Sequence, residues 1–136
     1  MGLDMFLTRR QKNIKNEETE EVLYWKKAPE EVLYWRKANQ IRNWIVNHTE
    51  LEEDDNLRAV ELSKDVLEDL KNDCELVLEN HDKAEEIMPT CSGFFFGSTE
   101  YDEYYFDILK YTTEKIEIIL NTTDFETEVI EYEDWW

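Results

Sequence analysis

Apolar and polar residues alternate at the start of the chain. In Gly2–Thr8, Leu3, Met5 and Leu7 fall on one side and Asp4 and Phe6 on the other, which predicts a short β-strand. Arg9, Arg10, Lys12 and Lys15 then read as a basic loop, too short and too poor in aromatics to argue for nucleic acid. A repeat follows. Glu20-Glu21-Val22-Leu23-Tyr24-Trp25-Lys26-Lys27-Ala28-Pro29 returns as Glu30-Glu31-Val32-Leu33-Tyr34-Trp35-Arg36-Lys37-Ala38-Asn39, with eight of ten positions identical. Ten residues turn a helix by about 1000°, roughly 80° short of whole turns, so the copies would face different ways on one helix. Pro29 suits a helix first turn. The second copy is therefore expected to open a helix from about Pro29 to Asn47, and the first to be a strand or an irregular lead-in. The helix stripe would be Tyr34, Ala38, Ile41 and Ile45, widened by Leu33 and Trp44. Its other face would hold Trp35, Arg36, Asn39, Arg42 and Asn43.

Further on, Leu51–Asn56 is an acidic turn and Leu57–Leu62 a strand candidate. Ser63 is placed to cap a second helix whose stripe is Leu67, Leu70, Cys74 and Val77. Asp82 is the expected cap of a short helix ending before Pro89. The segment Pro89–Thr99 brackets Phe94, Phe95 and Phe96 between Gly93 and Gly97. A third helix over about Glu100–Asn121 would be capped by Ser98 or Thr99 and carry Tyr101, Tyr105, Ile108, Thr112, Ile116 and Ile119. A second line of Tyr104, Tyr111 and Ile118 predicts burial on two sides. Residues Glu126–Glu133 alternate as a strand and lead to Trp135-Trp136, a pair out of place in water. These elements predict an α+β fold in which three main helices pack on a small, mostly antiparallel sheet of three or four short strands. Residues 1–136 are read as a single compact acidic domain.

Composition narrows the class. The chain has 136 residues, 41% of them hydrophobic and 13% aromatic, too apolar for a wholly disordered acidic chain. Its net charge is −19. Residues 1–49 carry nine basic and seven acidic groups, whereas residues 50–136 carry six basic and twenty-seven acidic, a net of −21. A protein that grips duplex DNA by overall positive charge is excluded, and no direct DNA binding is expected. Two cysteines, Cys74 and Cys91, make no disulfide framework. No run approaches a membrane span, and no basic-then-apolar leader opens the chain, so a cytoplasmic protein that engages no membrane is expected.

The candidate chemistry is binding rather than catalysis. No catalytic, metal or cofactor constellation stands out: His48 and His81 lack ligand spacing, and Ser92 lacks the glycine of a nucleophile elbow. The acidic turn lacks the alternating ligands of a calcium loop. Cys74 reads as a small core residue. Two surfaces remain. Glu68, Glu75, Glu79, Glu103, Asp107, Glu114 and Glu117 fall on the outward faces of helices two and three, a stripe suited to a basic partner. Alternatively, Trp35, Arg36, Asn39, Arg42 and Asn43 could meet Ser98, Thr99 and Tyr101 around a nucleotide-like small molecule, since guanidinium and helix N-termini favour anions.

Three motifs carry a resemblance: Gly2-Leu3-Asp4-Met5, then Tyr34-Trp35-Arg36-Lys37-Ala38-Asn39-Gln40-Ile41 with Trp44, and Pro89-Thr90 followed by Ser92-Gly93-Phe94-Phe95-Phe96-Gly97-Ser98-Thr99-Glu100-Tyr101-Asp102-Glu103-Tyr104-Tyr105. Together they resemble an uncharacterised protein family of phages, prophages and bacteria. The family pattern has His where this chain has Arg42 and Phe where it has Ile45. No activity comes with the resemblance. It implies a phage-type accessory protein. With the acidity, that points to binding and inhibition of a basic, nucleic-acid-binding host defence protein through a DNA-mimic-like surface. Sequestration of a nucleotide signal is the alternative. In the first case duplex DNA sets the standard, with about one charge per 1.7 Å of axis.

Overall fold

A computed structural model describes residues 2–12, 28–93 and 96–136. Four strands, β1 (Asp4–Gln11), β2 (Glu30–Arg36), β3 (Val60–Leu62) and β4 (Glu128–Trp135), form an antiparallel sheet in the order β2-β1-β4-β3. The helices are α1 (Asn39–His48), α2 (Lys64–Glu79), the single turn α3 (Ala84–Ile87) after a 3-10 turn at His81–Lys83, and α4 (Glu103–Thr122). The fold is α+β. Among the described residues, no helix is long and apolar enough to cross a membrane.

Alternation decides which side of the sheet is buried. Met5 and Leu7 of β1, Leu33 and Trp35 of β2, Val60 and Leu62 of β3, and Ile130 and Tyr132 of β4 all face the helices. Against them pack Ile41 and Ile45 of α1, Leu67, Leu70, Cys74 and Val77 of α2, and Tyr105, Ile108, Leu109, Ile116 and Ile119 of α4. Ser63 caps α2, its Oγ accepting from Val66 N at 3.2 Å, as its position before the apolar stripe predicts.

The second copy of the repeat is not a helix start. Glu30–Arg36 is strand, and the helix expected from Pro29 begins only at Asn39. Val, Leu, Tyr and Trp in succession suit a pleated surface, and Leu33 and Trp35 are buried two residues apart. Trp35 thus replaces Tyr34 in the core, and Tyr34 is exposed. Lys37, in the left-handed region at φ 55, ends the strand, and its N–H donates to Leu3 O at 2.7 Å. The first copy, apart from Ala28 and Pro29, and Lys15 lie outside the described residues.

Other expectations shift at element ends. Arg9 and Arg10 are strand residues of β1, not a loop: Arg9 pairs with Glu30 at 2.6 Å and Arg10 with Glu131. Asp102, not Ser98 or Thr99, caps α4, accepting from Tyr105 N at 3.0 Å. Asn80, not Asp82, caps the short 3-10 turn. Tyr104, Tyr111 and Ile118 form an exposed row rather than a second buried one, and Tyr101 is exposed too. β4 runs two residues beyond its expected end and takes in Asp134 and Trp135.

Candidate functional site

The residues expected around a small ligand divide among different tasks. Asn39 and Asn43, one turn apart on α1, hold the 89–98 loop. Asn39 Nδ2 donates to Phe96 O at 3.0 Å and Ser98 O at 2.9 Å, its Oδ1 accepts from Cys91 N at 3.0 Å, and Asn43 Nδ2 donates to Pro89 O at 3.1 Å. The loop meets α1 as the ligand reading requires, but their polar groups satisfy one another. Gly97 allows this approach: it sits at φ +87, and a Cβ there would stand 3.0 Å from Lys37 Cβ. The hollow beside Lys37, Gln40, Ser98, Glu100 and Tyr104 has a volume of about 10 Å³, room for one water.

The rest of that set points elsewhere. Trp35 is a core residue, 3% exposed, with Nε1 donating to Thr112 Oγ1 at 2.9 Å. Arg36 lies on the outer face of the sheet, 3.4 Å from Asp4. Thr99 and Tyr101 belong to the loop's own bracing, where Thr90 Oγ1 donates to Thr99 O and Thr90 N to Tyr101 Oη. Ser98 Oγ accepts from Glu100 N at 3.0 Å. Arg42 is buried at 2% exposure: Nε donates to Asp134 Oδ2 at 2.8 Å, Nη2 to Asp55 O at 2.8 Å, and the rings of Phe96 and Trp136 flank its guanidinium. A ligand would have to displace these contacts.

The acidic set lies on two helices packed side by side. α2 and α4 run antiparallel: Lys71 of α2 feels the charge of Glu117 of α4, and His81 beyond α2 stacks on Phe106 near the start of α4 at 3.7 Å. Glu68 and Glu75 sit opposite their own helix's Lys64 and Lys71, at 4.0 and 2.7 Å. The Glu75 hydrogen bond, reinforced by charge from Glu75 and Glu117, holds the Lys71 amine above its usual range. Glu79, Glu103, Asp107 and Glu114 are exposed and have no ion-pair partner among the described residues.

Elsewhere, Glu52, Asp54 and Asp55 bring carboxylate oxygens within 4.8 Å of one another. Asp55 is already engaged by Glu52 N and Arg58, which hold its carboxyl below the usual range. His48 and His81 stack on Trp44 and Phe106. Compared with family models, curated proteins and solved structures, the chain matches none of them.

Sequence reasoning missed the outer face of the sheet. Trp135 Nε1 donates to Asp4 Oδ2 at 3.2 Å, and Tyr34 Oη donates to Asp4 Oδ1. Phe6 packs on Tyr34 with ring centroids 5.3 Å apart. The signal was present in the alternation itself, which sets Asp4 and Phe6 opposite the core.

Proposed function

We propose that this chain is a non-enzymatic, phage-type accessory protein that binds and inhibits a basic, nucleic-acid-binding host protein through the carboxylate face of α2 and α4. The observation that carries the reading is the set of exposed carboxylates with no ion-pair partner among the described residues: Glu79, Glu103, Asp107 and Glu114, with Glu117 beside them sharing Lys71. Glu68 and Glu75 extend the same face along α2. Charges left unneutralised on rigid helices attract cationic surfaces and repel acidic ones, which gives association speed and partner choice. Two packed helices hold these groups in fixed relative positions, as a competitor for a phosphate track requires.

The test is competition. A basic partner recovered from host lysate is titrated with the protein at low and high salt, with labelled duplex DNA present. The protein should displace the DNA, and its affinity should fall steeply as salt rises. Converting Glu79, Glu103, Glu114 and Glu117 to Gln and Asp107 to Asn together should abolish displacement, while single changes do little. Salt-insensitive binding, or competition untouched by the combined variant, would overturn the reading.

A further inference from the structure

The sheet face turned away from the helices presents a composed surface. Its end row runs from Arg36 through Asp4 to Trp135, paired across β2, β1 and β4. The next row is Tyr34, Phe6 and Glu133, and beyond it Thr8, Glu131 and Glu61. Leu57 closes the end row beside β4, its N–H donating to Asp134 O at 2.9 Å. Two grooves share Leu57 and Trp135 as a common wall. One, of about 340 Å³, is lined by Gly2, Asp4, Asn56 and Trp136; the other, of about 250 Å³, by Phe6, Thr8, Glu133 and Asp134.

Two features of this face are unfavourable in the isolated protein. Leu57 is 60% exposed and Trp135 53% exposed, side by side. Leu57 also holds φ 66, a left-handed conformation rare for a bulky residue. Meanwhile Glu61 and Glu131 stand directly opposite one another across β3 and β4, with Glu133 on the same face. Like charges directly across strands are destabilising. Arg10 engages Glu131, but Glu61 and Glu133 have no cation partner among the described residues.

A partner with arginine or lysine side chains spaced among apolar ones would relieve both. We propose that this face docks a cationic, amphipathic segment of a protein partner, its apolar side chains in the grooves beside Trp135 and Leu57 and its cations over Glu133, Glu131 and Glu61. Compact interfaces concentrate their binding energy in a few buried aromatic and apolar anchors, while complementary charge around them sets association rate and partner choice. A second copy of this chain is disfavoured, because it would set Glu61, Glu131 and Glu133 against their own kind. An anionic lipid surface is disfavoured for the same reason. This surface is separate from the α2–α4 carboxylates and stands without them.

The experiment uses a fluorescein-labelled peptide of repeated Arg-Arg-Val-Val, which in an extended chain sets arginine and valine on the same face, with a Glu-Glu-Val-Val peptide as control. Binding should be confined to the arginine peptide and weaken when glycine replaces its valines. Trp135→Ala and Leu57→Gly should each weaken it by about ten-fold or more, the scale of a truncated interface anchor. Leu57→Gly should keep or raise the melting temperature, because glycine adopts a positive φ without strain, so its loss of binding would not be a loss of fold. Glu133→Gln with Glu61→Gln should weaken binding and flatten its salt dependence. The combined α2–α4 variant should bind the peptide as before. Undiminished binding by Leu57→Gly and Trp135→Ala, or loss confined to the α2–α4 variant, would overturn the proposal. So would sedimentation as a dimer that Trp135→Ala dissociates.

Discussion

Arg42 carries a full charge into the interior and uses it there. Its Nε meets Asp134 Oδ2, which also accepts the Tyr132 hydroxyl at 2.5 Å, while Asp134 Oδ1 is buried without a partner among the described residues. A buried pair of this kind adds little over well-packed apolar residues, yet removing one partner strands the other. Arg42→Ala should therefore destabilise by about 3–5 kcal/mol in urea unfolding, and Asp134→Asn by a similar amount. The double change should cost much less than the two together. Spacing could not show this. Arg42 falls on the polar side of its helix whether it meets water, a ligand or an aspartate far along the chain. Cys74 was legible, because its place in the Leu67–Val77 stripe marks it as core. Burial, aided by the Asp73 and Glu75 charges, pushes its thiol far above the usual range. The thiolate is the nucleophile, so Cys74 should resist iodoacetamide in the native protein. Half-buried Cys91, also raised by burial and by Glu53, should react more slowly than a free thiol. Timed alkylation read by mass spectrometry checks both.

Among the described residues β2 is an edge strand, and α4 closes that edge. Tyr104 Oη donates to Arg36 O at 3.1 Å and Tyr111 Oη to Tyr34 O at 2.9 Å. The row that sequence periodicity marked for burial instead covers carbonyls that would otherwise be open to another strand. Tyr104→Phe with Tyr111→Phe should cost less than about 2 kcal/mol, since water can solvate the freed carbonyls. It should raise the rate of self-association, measured by light scattering at matched concentration. The same element shows why sequence reading split as it did. α2 and α4 were legible because long helices repeat their apolar period many times. β2 was not, because Tyr34, Ala38, Ile41 and Ile45 fit a helical spacing that crosses a strand, a left-handed Lys37 and a helix start. The expected ligand pocket and the outer sheet face both depend on that boundary: as a strand, Trp35 points inward and Tyr34 outward.

At the scale of the whole molecule, acidity and hydrogen-bonded tyrosines set the range of conditions in which the fold is stable. The net −21 of residues 50–136 repels itself in the folded state. Raising salt from about 0.01 M to about 0.15 M shortens the screening length from about 30 Å to about 8 Å, so the melting temperature should rise over that interval. The alkaline limit has a different origin. Tyr132 is wholly buried and donates its hydroxyl to Asp134, so burial first, and then the aspartate charge, raise its pKa well above the ordinary 10.0. Tyr105, whose hydroxyl donates to Met88 O at 2.6 Å, is raised mainly by burial. Tyr34 is raised chiefly by its hydrogen bond to Asp4. In each case the folded protein keeps a proton that the unfolded chain gives up near pH 10, so the unfolded state binds fewer protons above that point and stability falls as pH rises. The contribution of these groups is complete below the unfolded value. A series of urea melts from pH 8 upward should therefore show stability level with respect to the tyrosines to about pH 10 and falling beyond it. Tyr132→Phe should flatten that fall, because the group that must stay protonated is gone. An unchanged alkaline slope in Tyr132→Phe would place the loss elsewhere, with Tyr105→Phe as the next variant to measure.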